Sequence, residues 1–169
     1  RPQQQAEFDA ILIIIESYLF RRMVCGLTTK NYNRLFLELI RHLERKEQIT
    51  AQAVGNFLLY GEGESVRFPS DAELRTALLD YPLYQWWPQY RVRAVLVALE
   101  RALAHAKSEA VSLPKGLTIE HILPVKWQEH WPLPAEMQSD PQAKLEFVQH
   151  RDRIKHTIGN LTLVTGSLN

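Results

Sequence analysis

The chain has 169 residues, 46% of them apolar and 23% charged, which suits one good core or two small ones and excludes a disordered polymer. Twenty Lys and Arg stand against 19 Asp and Glu, so the net charge of +1 gives no global basic signal for nucleic acid. The single cysteine excludes a disulfide framework or a zinc ribbon, and the longest apolar run, Ala10–Ile15, is far short of the roughly 20 residues that cross a bilayer.

Residues 6 to 109 read as helical. Ala6 to Cys25 carries apolar residues on several faces, which predicts a helix buried on more than one side and stopped by Gly26. In the next helix, Lys30 to Lys46, Leu35, Leu39 and Leu43 recur every fourth residue, widened by Phe36 and Ile40. Thr50 is placed as an N-cap for a shorter helix that Gly61 and Gly63 break. Ser70 and Glu73 have capping-box spacing and open a helix that ends near Tyr81-Pro82. Trp86-Trp87-Pro88 reads as an aromatic core plug, and Tyr90 to Lys107 as a strong amphipathic helix. Arg21, Arg22, Lys30, Arg34 and Arg41 could face a DNA backbone, but interspersed Glu38 and Glu44 favour an ordinary solvated face.

The texture changes after Ser112. Residues 117–122 have β character, 126–140 read as an irregular loop, and Asp140-Pro141 has the form of an N-cap with proline at the first helical position. A helix to about Lys155 follows, then a second short strand over 158–164 and a turn into a final helix. Four of the six histidines, His121, His130, His150 and His156, lie in this last third. Residues 110 to 169 hold six Lys/Arg and six Asp/Glu, so histidine clusters there without excess charge, as in a site rather than a binding arm.

Glu120-His121 is the most informative pair. A carboxylate can hold a cation while the neighbouring imidazole takes a proton. Neighbours on a regular strand point to opposite faces, so shared work requires the strand to end or bulge there; Pro124 agrees with an end. A capped strand with a satisfied histidine is an equal reading of the pair alone. Arg151, Arg153 and Lys155 lie nearest this region and are the better phosphate candidates, with His156 a further one although a surface position suits it too. A zinc site from His121, His130, His150 or His156 has no standard ligand spacing behind it.

The stretches TIEHILP, IGNLTL and the closing Leu168-Asn169 together resemble the HNH (His-Me finger) nuclease motif, and more closely the C-terminal nuclease domain of GmrSD-type bacterial restriction proteins. SYLFRR and RVRAVLVALE are similar to the region that precedes the motif in that group. The resemblance implies a mainly α fold: a helical support domain over 1–112, then a small ββα-metal, HNH-like α+β domain over 113–169 with a long insertion at about 123–157. It implies His121 as general base, Glu120 and Asn169 as ligands to one divalent cation, and Asn160 as the brace that orients His121. Hard oxygen donors suit Mg²⁺ or Mn²⁺ rather than zinc. The substrate implied is double-stranded DNA, cut to a 5′-phosphate and a 3′-hydroxyl in the bacterial cytoplasm, with no membrane role. Starting at Arg1 and ending at Asn169, the chain reads as a piece of a larger protein with an N-terminal sensor or NTPase domain. Against this stands a non-catalytic helical DNA-binding or subunit-assembly module with a degenerate HNH-like tail.

Overall fold

The computed structural model describes residues 2–103, 114 and 116–166. The chain divides into two compact units, Arg1–Ala77 and Leu78–Asn169. The expected domain boundary at 112–113 lies outside the described residues.

The first unit is helical: α1 (Pro2–Val24), α2 (Tyr32–Glu44), α3 (Ala51–Leu59) and the start of α4 (Asp71–Asp80). Its core joins Tyr18 of α1 to Leu35 and Leu39 of α2 and Val54 and Leu58 of α3. The pairs from α2 and α3 are each four residues apart, because that spacing returns side chains to one face. Gly26, at φ 68°, ends α1 as a left-handed cap: Leu27 N–H donates to Arg22 O at 2.9 Å and Gly26 N–H to Met23 O at 3.2 Å. Thr50 Oγ1 accepts from Ala53 N–H at 3.2 Å, and Ser70 and Glu73 satisfy each other's N–H groups at 3.2 and 2.9 Å.

Burial on more than one side of α1 is found towards its end, at Tyr18, Arg22 and Val24, while Phe8, Leu12 and Ile13 nearer its start are exposed. One expectation for this unit is corrected. Arg22 belongs to no basic face, being fully buried. Its Nη1 donates to Arg67 O (2.8 Å) and Glu64 O (3.3 Å), its Nη2 to Thr28 O (2.7 Å) and Ser65 O (2.9 Å). The rings of Tyr18 and Tyr32 also face its guanidinium, at 5.5 and 5.6 Å. Four carbonyl dipoles and two ring faces replace much of the water that a buried cation loses, while its Nε–H is buried without a hydrogen-bond partner among the described residues. Arg21 bonds Asp71 at 2.5 Å and Arg34 bonds Glu38 at 2.8 Å.

The second unit holds the end of α4, α5 (Leu83–Trp86), α6 (Gln89–Leu103), β1 (Thr118–His121), α7 (Trp127–His130), α8 (Ala135–Gln138), α9 (Pro141–Ile154), a 3₁₀ turn (Ile158–Asn160) and β2 (Leu161–Val164). The strands pair antiparallel, Thr118 opposite Val164 through His121 opposite Leu161, and α6 packs on both. Val92, Val95 and Leu96 form the buried face of α6. Asp140 caps α9 as its sequence predicts, its Oδ1 accepting from Gln142 and Ala143 N–H at 2.9 and 3.1 Å.

Here too the structure departs from the sequence reading. The loop over 126–140 contains two single helical turns, α7 and α8. Ile158–Asn160 winds as 3₁₀, so β2 starts at Leu161. Of the two adjacent tryptophans only Trp87 is buried; Trp86 is 53% exposed. The last turn expected of α6, at 104–107, and the expected start of a final helix at 167–169 lie outside the described residues.

Candidate active site

His121 closes β1, half-buried, and Glu120 stands exposed one residue earlier. Pairing stays regular through both, Glu120 opposite Thr162 and His121 opposite Leu161, so strand alternation sends their side chains to opposite faces. The strand ends directly after His121.

Asn160 secures that end. Its side chain is buried; Oδ1 accepts from Leu123 N–H at 2.7 Å, and Nδ2 donates to Leu123 O at 3.0 Å and to Lys155 O at 2.8 Å. Its own carbonyl accepts from Ile122 N–H at 2.9 Å. One amide therefore continues the ladder beyond the last strand pair, and ties the segment after His121 to the end of α9. Leucines supply the surroundings, with Leu117, Leu123 and Leu161 buried.

The tie at Lys155 brings in His156. Its Nδ1 lies 3.3 Å from Nε2 of His121, with the ring planes 86° apart. Tyr84, from α5, packs edge-on against His121 at 4.6 Å and lies parallel to His156 at 6.1 Å. Its N–H donates to His156 O at 3.1 Å. Burial lowers the His121 pKa from its ordinary value, His156 lowers it further, and Glu120 opposes them. Burial likewise lowers His156, helped by the Lys155 charge. Both shifts favour the neutral, proton-accepting form of each ring.

The basic candidates are placed less uniformly. Arg151 donates to Trp131 O at 2.7 Å and lies over the rings of Trp127 (4.7 Å) and Phe147 (4.5 Å). Lys155 pairs with Asp152 at 3.0 Å. Arg153 is exposed, its Nη2 3.2 Å from His150 Nδ1. Trp127, almost wholly buried, donates its indole N–H to Asp152 at 3.2 Å and so fastens the first part of the long insertion to α9 within it. Bonds from Lys155, then Trp127, hold the Asp152 carboxyl below its ordinary range.

Asn169 lies outside the described residues. Among the described residues no three His, Cys, Asp or Glu side chains come together as a metal-holding group. The four-histidine zinc set is therefore not assembled: His130 faces Glu129 at 3.9 Å and His150 faces Arg153. Sequence reasoning missed Tyr84, which is 37 residues from His121 and carries no local motif. It also missed the pairing of Trp127 with Asp152.

The family model for GmrSD restriction endonucleases, C-terminal domain, matches residues 68–169, more than half of the chain. The chain belongs to the GmrSD restriction endonuclease C-terminal domain family. Membership carries a restriction-endonuclease-like role, and the matched span contains the whole His121 site. No protein of curated function and no solved structure matches the chain. Among the described residues no helix is long and apolar enough to cross a membrane.

Proposed function

We propose that this chain is the C-terminal effector of a restriction protein, a metal-dependent endonuclease that hydrolyses phosphodiester bonds in foreign or modified double-stranded DNA. The observation that carries the reading is a half-buried His121 fixed at a strand end by Asn160, with an exposed carboxylate, Glu120, next to it in the sequence. A sensor or NTPase domain on the N-terminal side and a site of action in the bacterial cytoplasm belong to the same proposal.

His121 takes a proton from the attacking water: an O–H bond breaks, an N–H bond forms, and the electron pair left on oxygen attacks phosphorus as the P–O3′ bond breaks, the departing 3′ oxygen taking a proton from solvent. General-base work of this kind contributes roughly 10²- to 10⁴-fold. The exposed Glu120 carboxylate is a hard oxygen donor open to a hydrated cation, which fits Mg²⁺ or Mn²⁺, and Asn169 would be the second protein ligand. The bound cation would supply charge stabilisation at the phosphate and at the departing 3′ oxygen. Asn160 keeps His121 in place, while Arg153 offers an exposed positive charge to the DNA backbone.

Plasmid nicking with Mg²⁺ or Mn²⁺ tests this reading. The wild-type chain should cut, and H121A and E120Q should each lose at least about 10²-fold in rate. Equal cutting by wild type and H121A removes His121 from the chemistry. DNA binding without cleavage by any form would favour the non-catalytic module.

A further inference from the structure

We infer that His156 is a positioning residue for His121: its Nδ1 accepts the Nε2–H of His121 and so leaves the His121 lone pair on Nδ1. The inference deepens the nuclease reading above and rests on it both for the direction of the hydrogen bond and for its catalytic consequence.

Nε2 of His121 and Nδ1 of His156 lie 3.3 Å apart, and in a hydrogen bond between two ring nitrogens one donates and the other accepts. If His156 donated, His121 would carry its own proton on Nδ1, and its lone pair on Nε2 would already be engaged. His121 could then take no proton from water. With His156 accepting, Nδ1 of His121 holds the lone pair and has no hydrogen-bond partner among the described residues. Once His121 gains a proton on Nδ1, its Nε2–H becomes a charge-assisted donor to the same partner, and the bond strengthens. Orienting a base through its second nitrogen is a general device for selecting tautomer and direction.

The surroundings aim His156 at this task. Tyr84 lies parallel to its ring and bonds its carbonyl, which fixes both ring and backbone. Asn160 bonds the preceding carbonyl, Lys155 O, and the Leu123 backbone two residues after His121. One amide thereby sets the spacing of the two rings.

The test uses the full chain with ¹⁵N-labelled histidine at a pH where both rings are neutral. In the wild type, His121 should show a proton-free Nδ1 and a protonated Nε2. H156F keeps an aromatic ring against Tyr84 and removes the acceptor. Its His121 nitrogens should move to averaged, mixed-tautomer positions, and kcat for nicking should fall about 10- to 100-fold with KM nearly constant. H156Q supplies a carbonyl acceptor and should restore both the tautomer and most of kcat. A protonated Nδ1 on wild-type His121, or an unchanged tautomer in H156F, overturns the inference. If the wild type cuts no DNA at all, the nuclease reading fails, while the nitrogen signals still decide what His156 does.

Discussion

The side-chain amide of Asn160 and the backbone of Leu123 form a closed pair, each donating to the other, at 2.7 and 3.0 Å. The amide imitates a peptide group and stands in for the strand partner that β1 lacks beyond His121. Its second N–H, to Lys155 O, anchors the chain just before His156.

Removing that amide should cost more than a typical polar substitution. N160A leaves the Leu123 N–H, the Leu123 carbonyl and the Lys155 carbonyl without their partner, a loss of about 2–4 kcal/mol. N160D keeps the acceptor but turns a carboxylate towards two carbonyls. It should destabilise at least as much at neutral pH and partly recover in acid, where the carboxyl regains a proton. Urea unfolding at two pH values reads both effects, and a mild, pH-independent loss would show that the pair contributes little.

Trp127 should prove the anchor of the insertion. Its ring is buried beneath the Arg151 guanidinium and its N–H is bonded to Asp152. W127A should lose about 3–5 kcal/mol through the cavity it leaves. W127F, which forfeits mainly the indole bond and some volume, should lose about 1–2 kcal/mol. Chemical denaturation followed by far-UV circular dichroism separates the two.

Arg22 cannot be replaced by lysine without penalty. An ammonium has three donors on one atom and cannot span four carbonyls on two sides as the guanidinium does. R22M leaves those carbonyls without their donors and should destabilise the first unit by at least about 3 kcal/mol. R22K should fall between R22M and wild type. Thermal unfolding of the full chain gives the ranking, and an unaffected R22K would contradict it.

The capping box makes the start of α4 sensitive to acid. The Ser70 N–H, then its hydroxyl, then Arg67 hold the Glu73 carboxyl below its ordinary pKa of 4.5. The folded state therefore binds its proton less readily than the unfolded chain does. Its contribution is complete above the unfolded pKa and disappears as pH falls through the folded one. E73Q should flatten the acid side of the stability profile as pH falls below the ordinary value of 4.5. Identical profiles for wild type and E73Q would count against the coupling.

What the sequence determined by itself was local. The Gly26 stop, the Thr50 and Asp140 caps, the Ser70–Glu73 box and the leucine spacing of α2 follow from interactions within a few residues, so a linear reading finds them. The family followed from short motifs around the strands and at the end of the chain, since each is legible in a few consecutive residues although a long insertion separates them. Tertiary structure decided the rest. Nothing local separates Trp86 from Trp87, or Arg22 from Arg21; which of each pair is buried depends on what distant segments cover it. His156 looked like a possible phosphate contact because its partner lies 35 residues away. Only the fold brings α5, the end of β1 and the turn after α9 together, where burial lowers the pKa of two imidazoles and neighbours pack against their rings.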